Sequence, residues 1–168
     1  LYQYPDGQRL GYAVGVNGQP VDATPTADGY CTIDRRWRKG DRVSIHFDME
    51  PRTVRANHRV QDDRGRISVE RGPIVYCVEH PDNDFDIAGA LINQEPSFSL
   101  GETTIAGTTV KTLQTDAQLL NFDKGGRLKT ADVRMTLIPY YAWCHRGSGK
   151  MQVWTAQDLS ATPASCRC

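Results

Sequence analysis

The chain has 168 residues, with 20 lysines and arginines against 20 aspartates and glutamates, and 39% of its residues are hydrophobic. That length builds one good-sized domain or two small ones without help from disulfides. The cancelled charge leaves no field to steer nucleic acid or an anionic membrane, and no stretch approaches the ~20 apolar residues of a spanning helix, so neither is expected as a partner.

In chain order, the opening "LYQYPDGQRL" has none of the regions of a signal peptide, which says little about export because the chain does not begin with Met. "RLGYAVGV" alternates and runs into Asn17-Gly18, the strongest two-residue turn signal, before "QPV"; a hairpin is predicted over 9–22. "GYCTID" reads as a short strand and "RRWRKGD" as a polar turn. "RVSIHFDM" alternates, with Val43, Ile45 and Phe47 on the core face and Ser44, His46 and Asp48 on the other. The arginines of "DRRWRKGDR" and of 52–71 are interleaved with Asp34, Asp41, Asp48, Glu50, Asp62 and Asp63, the pattern of a solvated or salt-bridged face.

"GRISVERGPIVYCVEH" reads as two strands interrupted at Gly72-Pro73 by a bulge, an edge or a corner, because proline cannot donate to a ladder. From 81 to 109 the chain is rich in Gly, Pro, Asn, Asp and Ser, which suggests a long irregular connection and the one candidate for an internal boundary. Strands resume in "TTVKTLQT", "DVRMTLIPYYAW" and "KMQVWTA", while "TDAQLL" suits one helical turn. Many short strands with Gly-containing turns and no sustained helical period predict an all-β fold, an antiparallel β-sandwich of the jelly-roll kind. It is expected to span 1–158, followed by a flexible tail over 159–168.

Candidate chemistry is concentrated in "RGPIVYCVEHPDND". On a strand, Ile74, Tyr76 and Val78 share one face and Val75, Cys77 and Glu79 the other. Apolar residues on both faces fit a strand buried between layers, with Cys77 acting as a small hydrophobe rather than a metal ligand. Asp82, Asp84 and Asp86 have the alternate spacing of calcium loops, but Ile87 and Asn93 stand where an EF-hand needs Gly and Glu, leaving only an irregular loop site as the cation reading. Glu79 and Glu50 are the conceivable carboxylates of a glycosidase pair, without a motif around them. The chain lacks GxSxG, GxxxxGK[ST] and HExxH, and has no CxxC pair. Five cysteines, two of them in the terminal "CRC", leave at least one thiol unpaired or paired between molecules. The remaining functional feature is aromatic: Tyr140, Tyr141, Trp143 and Trp154 are candidate sugar-stacking residues, weighed against a role as core plugs.

Four blocks, "AVGVNGQPV", "GYCTIDRRWRKGDRVSIHFDMEPR", "GRISVERGPIVYCVE" and "LIPYYAWCHRGSGKMQVW", resemble in that order the C-terminal β-sandwich region of the family 127 glycoside hydrolases, β-L-arabinofuranosidases found largely in bacteria. They span 13–154 and are specific together, weak singly. The resemblance implies that Cys77 is a structural member of an "RGPxVYCxE" strand, and that Cys144 stands where the family commonly has asparagine. It also implies a catalytic (α/α)6 helical barrel as partner, with a zinc-bound cysteine nucleophile and a glutamate acid/base. None of that barrel is in this sequence, so the chain carries no catalytic residue, metal ligand or cofactor over from the family. The expected function is a non-catalytic accessory domain of an enzyme acting on arabinofuranoside-containing plant glycans. The alternatives are a carbohydrate-binding module with a glycan partner, or an interaction scaffold with an exposed apolar patch. A homodimer is a further expected partner. For compartment, the thiols favour a reducing one and bacterial glycan degradation after export favours the periplasm.

Overall fold

The computed structural model describes residues 2–4 and 10–162, and its regular elements are strands and single 3-10 turns. In chain order the strands are β1 (Tyr2–Gln3), β2 (Tyr12–Val16), β3 (Gln19–Val21), β4 (Val43–Phe47), β5 (Pro51–Ala56), β6 (Arg66–Arg71), β7 (Ile74–Glu79), β8 (Ala90–Ile92), β9 (Ser99–Ile105), β10 (Thr108–Phe122), β11 (Leu128–Pro139), β12 (Met151–Gln152) and β13 (Thr155–Ala156). The all-β expectation holds. The named strands pair antiparallel except at one parallel bridge, Ala156 to Leu91, between β13 and β8.

Ten strands form one sheet that curls until it meets itself: β6, β13, β8, β10, β11 and β7 each bond the next, and β7 bonds β6. The fifteen-residue β10 makes this closure possible. One of its edges pairs with β11 from Leu113 to Phe122, and the other serves β9 over Thr108–Gln114 and then β8 over Ala117–Leu119. Inside the ring, Ile67, Val69, Tyr76, Val78, Leu113 and Met135 belong to one buried cluster. Each fully buried aliphatic side chain there contributes about 2 kcal/mol.

β7 is buried on both faces. Tyr76 and Val78 enter the ring core, whereas Cys77 joins a second cluster with Ile105, Val110, Ile138 and Ala142. Gly72-Pro73 is the two-residue turn of the β6–β7 hairpin, since Arg71 pairs with Ile74. Gly72 has φ +57, which suits the first position of a type II′ turn, and proline's missing N–H costs nothing outside the ladder. This replaces the expected bulge, edge or corner.

The second sheet, in the order β3-β2-β4, has three strands. Asn17 (φ +54) and Gly18 (φ +78) form the type I′ turn of the predicted hairpin. Asn17 also holds the start of β4: its amide donates to Asp41 Oδ1 (2.8 Å), and its carbonyl oxygen accepts from the Arg42 N–H (2.9 Å).

Other local expectations change. "GYCTID" forms no strand, because that segment has no neighbouring strand to bond and is exposed along most of its length. "TDAQLL" is strand rather than helix, since β10 needs those residues to pair with β8 and β11. Residues 81–109 do not separate two bodies: β8 and β9 both bond β10, and the change of sheet falls instead at 48–50, between β4 and β5. The start of the expected tail is docked, with Ala161 and Thr162 buried and the Ala161 carbonyl accepting from Arg66. Residues 163–168, including Cys166 and Cys168, lie outside the described residues.

Candidate functional site

The residues of the opening motif converge with the loop after β11. Glu79 ends β7 at 1% exposure, and the chain turns at once through the 3-10 segment His80–Asp82. The segment Tyr140–Ala142 and the following residues cross over this corner. Arg146 Nη2 lies 2.5 Å from Glu79 Oε2, and Arg146 Nη1 lies 2.7 Å from Asp82 Oδ1. The other Glu79 oxygen accepts from the Cys144 N–H at 3.1 Å. Cys144 has φ +68, a strained value for a side-chain-bearing residue, and this hydrogen bond helps to hold it.

Asn83 completes the corner from behind. Its amide donates to the Glu79 and Thr136 carbonyls (2.8 and 2.9 Å), and its oxygen accepts from the Thr136 N–H (2.9 Å). Paired to two carboxylates, the Arg146 guanidinium is held more firmly protonated than usual, led by its hydrogen bond to Asp82. Burial first, and the Glu79 and Asp82 charges second, push the Cys77 thiol up to about 12. A thiol so placed is neutral and inaccessible, the reverse of an activated nucleophile.

The three carboxylates of the expected cation loop do not converge on a common point. Asp82 is taken by Arg146, and Asp86 is paired with Lys150 at 2.9 Å, whose ammonium holds the Asp86 carboxyl below its ordinary value. Asp84 remains on an open cleft of about 480 Å³ lined also by His80, Phe85, Asp86 and Lys150. Among the described residues no three His, Cys, Asp or Glu side chains gather as a metal site would require. The zinc of the family's barrel therefore finds no fitting ligand set here, and no chemical step is derived through it. Glu50 lies exposed before β5, whereas Glu79 is sealed in the corner.

The aromatic candidates divide. Tyr140 and Trp143 stack with ring centroids 5.9 Å apart and planes 9° from parallel. Trp143 also packs on the Cys77 cluster, so it serves the core, while Tyr140 and Tyr141 are 44% and 62% exposed. Trp154 stands on a different stretch, just before β13, where its carbonyl accepts from Arg66 at 3.1 Å. The structure thus gathers Tyr140, Tyr141 and Trp143 on one turn and carries Trp154 elsewhere. Sequence reasoning missed the Glu79–Arg146–Asp82 corner because its partners lie 64 to 67 residues apart. The available signal was a carboxylate at the end of an otherwise apolar strand.

Comparison with known proteins gives this arrangement a family. Residues 51–156 match the model of the "glycoside hydrolase family 127 C-terminal domain", and residues 6–49 match "beta-L-arabinofuranosidase, GH127 middle domain". The chain belongs to glycoside hydrolase family 127. The junction of the two GH127 matches coincides with the change of sheet after β4. A non-reducing end beta-L-arabinofuranosidase of Bifidobacterium longum subsp. longum is 28% identical over 162 residues, covering 89% of this chain and 24% of that protein. A solved GH127 beta-arabinofuranosidase superposes with TM-score 0.80 at 52% identity, over 97% of this chain and 26% of its own. A GH127 beta-L-arabinofuranosidase from Geobacillus stearothermophilus T6 gives TM-score 0.69 at 30% identity, over 87% and 24%. The chain spans about a quarter of the length of these relatives.

Proposed function

We propose that this GH127 chain is a non-catalytic accessory β-domain of an arabinofuranosidase, whose chemistry on plant glycans resides in a helical-barrel catalytic domain elsewhere in the protein. One observation carries the reading: Cys77 and Glu79, the residue types of the family's nucleophile and acid/base, are sealed in the fold. Cys77 has no exposure, and both Glu79 oxygens are occupied by Arg146 and the Cys144 N–H. A glycosidase carboxylate must face a sugar and exchange a proton with it, which this one has no room to do. Its service is to pin the 140–147 loop to the ring.

The test is hydrolysis of 4-nitrophenyl β-L-arabinofuranoside and of arabinan fragments by the folded chain alone. No release above background is expected. Turnover abolished by Glu79→Gln in a variant that still folds would overturn the reading. A second reading, sugar binding by the isolated chain, is favoured by the exposed Tyr140 and Tyr141 beside the Trp143 ring. Calorimetric titration with arabinofuranosides decides it: heat that disappears in Tyr141→Ala makes this turn a binding surface, and no heat leaves the domain as a structural partner.

A further inference from the structure

The small sheet has an apolar face with nothing on it. Cross-strand pairs put Tyr12 beside Phe47, Val14 beside Ile45 and Val16 beside Val43, with Val21 next to Val14, so these side chains share one face. Their alternation is that of a sheet packed against a second layer, and the Val43, Ile45 and Phe47 face was expected to be core. Instead Val43 is 50%, Ile45 55% and Phe47 42% exposed, and Tyr12 38%. β4 is also an edge strand, so a row of backbone groups stands open beside the bare face. Three short strands need an apolar layer against them for independent stability.

We propose that this face is an intramolecular interface, covered in the longer protein by a β-layer from the part of the polypeptide that this chain does not contain. The inference rests on the accessory-domain reading. Two observations choose the occupant. The sheet lies within the residues that match the GH127 middle domain, and that match covers only 44 residues, too few to build both layers of a sandwich. The relatives are about four times as long, so the polypeptide to supply the opposing layer exists in them. A second copy of the chain, the other way to cover such a face, is an outcome of the test.

The probe is the remaining three quarters of the 52%-identical beta-arabinofuranosidase, produced without the region that matches this chain, and mixed with it. Hydrogen exchange is followed at 12–16 and 43–47. The expected result is at least ten-fold slower exchange in those segments on mixing, with Ile45→Lys weakening the association at least ten-fold and Leu100→Lys, an exposed apolar site on the main sheet, leaving it unchanged. Unchanged main-sheet protection in Ile45→Lys shows that the variant is folded. Exchange at 43–47 that does not slow on mixing overturns the proposal, as does slowing that depends only on the concentration of this chain, which assigns the face to a homodimer. Arabinofuranoside hydrolysis by the chain alone, measured separately, would instead overturn the accessory-domain reading and leaves the exchange result standing by itself.

Discussion

Glu79 is the residue on which the 140–147 loop depends. Removing one partner of a buried ion pair leaves the other charge uncompensated, which costs more than the pair itself is worth. Glu79→Ala is therefore expected to destabilise the fold by about 3 kcal/mol, read as a shifted urea midpoint. Glu79→Gln, which keeps an acceptor for the Cys144 N–H, should lose less. Cys77 makes a pH-dependent contribution. Its folded-state pKa is raised from 9.0 to about 12, so the unfolded chain ionises first and folding keeps a proton that unfolding releases. The stability of the neutral thiol is fully present below about pH 9 and falls as pH rises towards 12. A denaturant midpoint that declines over this window in the parent chain, and declines less in Cys77→Ala, is the expected outcome. The strand face of Cys77 was legible from alternation alone. The Arg146 partner of Glu79 was not, because pairing across 67 residues is set by which strands become neighbours.

At the level of elements, turns carry most of what sequence determined. Asn17-Gly18 names its turn type because both positions need φ > 0, and those two residues reach that region at least cost. The β9–β10 hairpin makes the same demand of Ala106-Gly107, with φ +49 and +78, and alanine is poorly suited to it. Ala106→Gly should raise stability by about 1 kcal/mol, measured by thermal or urea unfolding, with the Ile105–Thr108 pairing preserved. This hairpin was hidden in the irregular stretch because Ala-Gly is no turn signature. β10 was misread in part for a related reason: "TDAQLL" has no strong alternation, and two neighbouring strands override its local preference.

For the whole molecule, the two sheets differ in what supports them. The ring encloses a core of residues with 0 to 2% exposure, while every residue of β4 is exposed. Opening free energy follows buried apolar contact. In the isolated chain, amides of β2–β4 should exchange at least a hundred-fold faster than those of β7, β10 and β11, measured by native-state hydrogen exchange. Equal protection in both sheets would mean that the small sheet is supported by something other than its own packing.

The sequence by itself determined the all-β class, the Asn17-Gly18 hairpin, the two-sided burial of β7 and the blocks that resemble family 127, because each rests on local alternation, turn stereochemistry or residue identity. Only the tertiary structure decided that the main sheet closes through β6 and β7, that Arg146 neutralises Glu79 and Asp82, and that the change of sheet falls at 48–50. It also decided that Val43, Ile45 and Phe47 face outward from a sheet with no second layer. Alternation states which face wants burial, and whether anything buries it depends on chain brought there from far away in sequence.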